Sequence, residues 1–139
     1  MPFTGKVGDS IFIDDLGGGH QYVILTKPNN KDEIVIVNFT AEKPDKDCTA
    51  TFRPRDYSRL FSKPTVANYP GARLFPMSSF KAEATKPNSR YIHCPVDIVN
   101  RVLIGAFQSE FTPTGIKEEL KTQYPDMAKK YYKNLPPAT

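Results

Sequence analysis

The chain has 139 residues, 39% of them hydrophobic, with nine Phe, seven Tyr and thirteen Pro, a size and composition that suit one globular domain (1–139) rather than a disordered chain. No window approaches eighteen consecutive apolar residues and Met1 to Lys6 carries no apolar run of the kind a leader needs, so no membrane span is expected and a cytoplasmic location is. The net charge of +4 is uneven: five Lys against eight acids over 1–52, eight Lys or Arg against two acids over 53–90, and six against five over 91–139. The basic middle third suits a polyanion such as nucleic acid, with a solvated basic loop as the plain alternative.

In chain order, Ser10 to Ile13, Gln21 to Thr26, Ile34 to Phe39 and Cys48 to Phe52 are short β-branched or aromatic runs. Gly17-Gly18-Gly19, Pro28-Asn29-Asn30-Lys31-Asp32 and Glu42 to Asp47 separate them as turns, which is the spacing of an antiparallel meander. Both alternating sets of the third run, Val35, Val37 and Phe39 and Ile34, Ile36 and Asn38, are mainly apolar, so that strand should be covered on both faces. Thr65 to Tyr69 and Arg90 to His93 are weaker strands, with Pro70-Gly71, Pro76 and Pro87-Asn88 breaking the chain between them.

After Pro95 the period changes. Ile98, Val99, Val102, Leu103, Ala106 and Phe107 recur at helical offsets, predicting an amphipathic helix over 96–110 with Pro95 in its first turn and Asp97 at its positive end. Thr112-Pro113 reads as the capped start of a second helix through Ile116 and Leu120, broken at Tyr124-Pro125, and Met127 to Leu135 as a further helical stretch. The expected fold is mainly β: a small antiparallel barrel over 5–93 followed by a helical segment over 95–135.

Gly17-Gly18-Gly19 delivers His20 to the head of the second strand, a place where the backbone can take positive φ and an imidazole can stand at a barrel rim. The order Gly8-Asp9, strand, Gly17 to His20, Val23-Ile24-Leu25 and Val35 to Thr40 resembles the PemK/MazF/Kid toxin ribonucleases over about residues 5 to 41. That resemblance implies an SH3-like barrel, cleavage of single-stranded RNA, a homodimer and control by an acidic antitoxin protein. The family's Arg-Pro pair at the start of the second strand reads His20-Gln21-Tyr22 here, whereas Thr40 matches its Ser or Thr after the third.

Cleavage by a 2′-hydroxyl needs proton transfer and donors for the developing phosphorane charge. The candidate catalytic residues are His20 and Thr40, with Asn38 as a hydrogen-bonding group and Asp47 or Asp56 as orienters of the imidazole. The segment Phe52 to Lys63 interleaves cations with rings, so Arg53, Arg55, Tyr57, Arg59 and Lys63 are candidate substrate-binding residues, while Phe52, Leu60 and Phe61 read more readily as core. The plain alternatives are a loop histidine bonding a nearby carbonyl and a threonine satisfying a turn. Cys48, His93 and Cys94 lack paired metal-ligand spacing, no phosphate-binding glycine motif is present, and neither a metal nor a cofactor is expected. Two free thiols are expected, with a single disulfide left open. Two functions stay open: a toxin-type endoribonuclease, and a non-catalytic barrel that binds nucleic acid or a protein.

Overall fold

The computed structural model describes residues 5–14 and 19–132; Gly17, Gly18 and the expected helix beyond Tyr132 lie outside them. The elements are β1 (Asp9–Ile13), β2 (His20–Ile24), β3 (Glu33–Ala41), β4 (Thr51–Phe52), β5 (Thr65–Ala67), β6 (Arg73–Pro76), α1 (Met77–Ala84), β7 (Ile92–His93), α2 (Val96–Gln108), α3 (Thr114–Gln123) and α4 (Pro125–Tyr131). The strands form a curled antiparallel half-barrel in the order β4-β5-β3-β2-β1-β7, with β6 also paired to β3. Among the described residues no helix is long and apolar enough to cross a membrane.

The expectation for β3 holds, and its cause is specific. Val35, Val37 and Phe39 point into a core shared with Val23, Phe52, Phe61 and the C-terminal helices. Ile34 and Ile36 point the other way, joining Ile11, Ile13, Tyr22 and Ile24 beneath Met77 and Phe80 of α1. The second face is therefore closed by a helix inside the interval expected to be barrel throughout. Only Met77 and Phe80 of α1 are fully buried, a face of two residues at i and i+3, too short to register as a helical period. β6 was also missed, because its side chains are largely exposed and it is bounded by prolines.

β5 and β6 lie along the same edge of β3. Their registers differ by three residues, the length of the 3-10 turn Tyr69–Gly71 between them. The looped-out turn drives Tyr69 into the first core, where its hydroxyl donates to the Val102 carbonyl of α2 at 2.8 Å. Burial pushes that phenol far above its ordinary pKa, with Asp47 adding to the shift, so it remains a donor. α2 accommodates the ring with Gly105, a residue with little helix propensity.

The helical boundaries follow the sequence closely. α2 buries Ile98, Val102, Leu103 and Phe107 as expected, although Pro95 precedes the helix rather than entering it. The expected Thr112 cap does not form: Pro113, with φ −56° and ψ 140°, is itself the residue before the helix. Its carbonyl accepts from Ile116 and Lys117 N–H, while Thr112 Oγ1 is buried without a partner among the described residues. Cys48 and Thr49, expected in β4, instead lie in a turn that Asp47 organises by accepting the Thr49 N–H and hydroxyl at 3.0 and 2.5 Å.

A methyl group at Gly105 would overlap Tyr69 Oη and stand 2.9 Å from Cζ. Gly105→Ala is expected to lower stability by about 1–3 kcal/mol, since overpacking outweighs the helix propensity gained. Urea unfolding of this variant beside Tyr69→Phe, Gly105→Ala checks the cause: the double variant should recover part of the loss, because only the hydroxyl overlap is relieved.

Candidate functional site

The cleft arises where β2 and β3 part company. β2 pairs with β3 at Tyr22↔Asn38, Val23↔Val37 and Ile24↔Ile36, whereas the end of β3, Phe39 to Ala41, pairs with β5. The same β2–β3 register carried two residues further sets His20 opposite Thr40. These two side chains line a cleft of about 500 Å³, and the segment before β5 and Arg90, two residues before β7, close it. His20 and Thr40, separated by nineteen intervening residues in sequence, both line this one cleft.

Charge and hydroxyl groups converge on this cleft. Lys63 and Arg90 supply permanent cations beside His20, and Thr40, Ser62 and Thr65 supply hydroxyls. Phe12, Leu60 and Phe39 form apolar wall, and among the described residues no Asp or Glu lines it. Lys63 and Arg90 are exposed at its mouth, and cations that no carboxylate of the described lining neutralises favour an anion.

Arg90, absent from the sequence candidates, is exposed and held by two hydrogen bonds. Its backbone has φ 43°, a left-handed conformation unfavourable for a side chain as large as arginine. Two bonds hold it there: Gln21 Nε2 donates to the Arg90 carbonyl at 3.0 Å, and Arg90 Nη2 donates to the Arg59 carbonyl at 3.1 Å. Gln21 is fixed in turn, because Nε2 also donates to Ser10 Oγ at 3.0 Å while Ser10 donates to the Ile92 carbonyl at 2.7 Å. The only sequence signal for Arg90 was its position between the Pro87-Asn88 turn and a strand.

The remaining candidates are scattered. Asn38 is buried, with its Oδ1 accepting from Asn68 Nδ2 at 3.2 Å. Arg53 pairs with Glu42 at 3.1 Å, Arg55 and Arg59 are exposed outside the cleft lining, and Tyr57 packs against the first core. Lys63 is thus the one cation of the expected basic segment that lines the cleft. Phe52 and Phe61 are fully buried, stacked with centroids 4.9 Å apart. Arg101 of α2, overlooked in the sequence, lies over the Phe52 ring at 4.5 Å and bonds Asp56 at 3.2 Å.

Neither proposed orienter is bonded to His20. Asp47 accepts from Ser109 and Thr49, and Asp56 accepts the Arg53 N–H at 2.7 Å. That amide bond holds the Asp56 carboxyl below its ordinary range, opposed by partial desolvation and assisted by Arg101 and Arg55. A larger hollow of about 690 Å³ lies between the β2–β3 turn and α3. Its polar groups already serve the fold: Gln123 accepts from Lys27 N–H at 2.9 Å and donates to Lys27 O at 2.8 Å, and Asn29 donates to Glu119 at 3.2 Å.

The fold and cleft together define a curled β-sheet protein, flanked by helices, with a cleft at the split between two strands that Lys63 and Arg90 line. Comparison with protein-family models, with curated proteins and with solved structures gives no match.

The two cysteines are free, Cys48 exposed and Cys94 buried. Burial, with Asp97 adding to it, pushes the Cys94 thiol up to about 12. Since the thiolate is the nucleophile, iodoacetamide at pH 8 should alkylate Cys48 alone in the folded chain and both residues in denaturant. Intact mass spectrometry reads the stoichiometry, and alkylation of both thiols without unfolding contradicts the packing described.

Proposed function

We propose that the chain is a divergent ribonuclease of the PemK/MazF toxin type, with an SH3-like sheet, that binds single-stranded RNA through the β2/β3 cleft. The observation that supports this reading is the convergence of His20, Lys63 and Arg90 with three hydroxyl side chains in a recess that no carboxylate of the described residues lines. Lys63 and Arg90 hold one phosphodiester, Arg90 offering the planar, permanently charged fork that suits phosphate oxygens. Phe12 and Leu60 provide apolar surface for the adjoining base. His20 transfers the proton as a 2′-hydroxyl attacks phosphorus and the 5′-oxygen leaves, while Thr40 donates to a non-bridging oxygen.

This assignment gives Arg90 the phosphate-binding task that the family's Arg-Pro pair would perform from the start of β2. An acidic partner segment seated in the same recess would block RNA by occupying the same cations, which is the form antitoxin control would take. The absence of a carboxylate bonded to His20 among the described residues favours the second reading, a cleft that binds RNA and does not cut it.

Binding and cleavage are separable. Lys63→Gln with Arg90→Gln should weaken binding of a mixed-sequence single-stranded RNA and reduce the slope of log affinity against log salt by about 0.7 for each phosphate contact removed. Arg55→Gln with Arg59→Gln should leave both nearly unchanged. Fluorescence anisotropy across a salt series measures this; equal losses in the two variants would remove the cleft from the interface.

His20→Ala should reduce cleavage about 10²–10⁴-fold, the range of a general acid or base, without a large fall in thermal stability. Thr40→Val should cost less, because the β-branched shape is kept. Gel analysis of labelled RNA with both variants, beside growth arrest on expression, tests the catalytic step. Binding by the wild type without cleavage or growth arrest decides for the second reading.

A further inference from the structure

Asp9 of β1 is fully buried, and among the described residues three donors meet its carboxylate. Tyr91 Oη donates to Oδ1 at 2.8 Å, the Lys6 N–H donates to Oδ2 at 3.2 Å, and His93 Nδ1 lies 2.8 Å from Oδ1. An ionised carboxylate only accepts hydrogen bonds, so Nδ1 of His93 carries the hydrogen. With the hydrogen on Nδ1, Nε2 is the ring nitrogen that can present a lone pair.

The surroundings leave that nitrogen accessible. The His93 side chain is 55% exposed, against 0% for Asp9. Gly8, at φ 96°, lies under the ring edge; a methyl group there would come 3.1 Å from Cε1 and 3.5 Å from Nε2. Tyr91, its hydroxyl pushed up to about 12 by burial and by Asp9, remains a donor and does not remove the proton from His93.

We propose that Asp9 and His93 form a second reactive centre, separate from the RNA cleft, in which His93 Nε2 accepts a phosphoryl group from a small P–N or acyl-phosphate donor. Lys6, whose backbone N–H bonds Asp9 Oδ2 and whose side chain is exposed, favours an anionic electrophile over a neutral one. In the step, the Nε2 lone pair forms the N–P bond as the bond from phosphorus to the leaving group breaks. With phosphoramidate the leaving nitrogen, already protonated, departs as ammonia. The ring keeps its Nδ1 hydrogen and becomes cationic, and the Asp9 carboxylate balances that charge.

The full chain is incubated with potassium phosphoramidate, and 31P NMR with peptide mapping locates the product. One phosphoryl group on His93 Nε2, formed faster than any on His20 and lost in His93→Gln, is expected. Asp9→Asn should slow the reaction about tenfold or more, the usual effect of removing a carboxylate behind a histidine. Equal reaction at His20, or an unchanged rate in Asp9→Asn, overturns the proposal. Should Asp9→Asn fail to fold, 15N NMR of the wild type decides by tautomer: hydrogen on Nδ1 is required, and hydrogen on Nε2 overturns it. The result is independent of RNA cleavage, since no group of the cleft takes part.

Discussion

Everything in this molecule depends on the burial of β3 on both faces. A nine-residue strand whose six central residues are all buried cannot be covered by curling a short sheet on one side alone. The solution is asymmetric: the sheet bends over the first core and is backed by α2, α3 and α4, while α1 lies across the second face. At about 25 cal/mol per Å² of apolar surface removed from water, burying a single Val or Ile side chain is worth about 1.5–3 kcal/mol, so leaving either face open would cost more than a domain's usual margin of stability.

This demand generates the cleft. β3 is longer than its partners β2 and β5, and each covers only part of it. Where β2 ends its pairing, the sheet divides and exposes the flank of Thr40 and the start of β2 together. The inserted turn that places Tyr69 against α2 also anchors β5 on β3, so the floor of the recess is fixed by the same packing that closes the first core. The site is thus a geometric consequence of unequal strand lengths, furnished with cations from segments that cross its mouth.

The legible parts of the fold were those encoded by local period. β3 with its two apolar faces and α2 with Ile98, Val102, Leu103 and Phe107 could be read from spacing, because each presents four or more apolar residues in one repeating pattern. α1 and β6 could not, since a two-residue apolar face and an exposed strand carry almost no period and owe their form to tertiary packing. In the cleft, His20 and Thr40 were readable from a glycine loop and a strand end. Arg90 was not, because its role depends on a left-handed backbone and on carbonyls contributed by Arg59 and, through Gln21, on β2. Asp9 was visible only as half of a Gly-Asp dipeptide, and its partnership with His93 spans the length of the sheet domain.

Edge strand β7 ties these strands of argument together. Its ladder is two residues long, too short to hold by itself, yet it is bound by Ser10 to the Ile92 carbonyl, by Gly8 O to the Cys94 N–H at 2.7 Å, and by Asp9 to both Tyr91 and His93. The side chains of β1 therefore set where β7 lies, and β7 in turn continues from Arg90 at the cleft. A buried carboxylate is costly unless bonded, and here two of its partners, Tyr91 and His93, belong to the segment it positions. Polar bonds, rather than apolar contact, define this edge of the sheet, which explains how a largely exposed strand can present an arginine in a strained conformation at one end and an oriented histidine at the other.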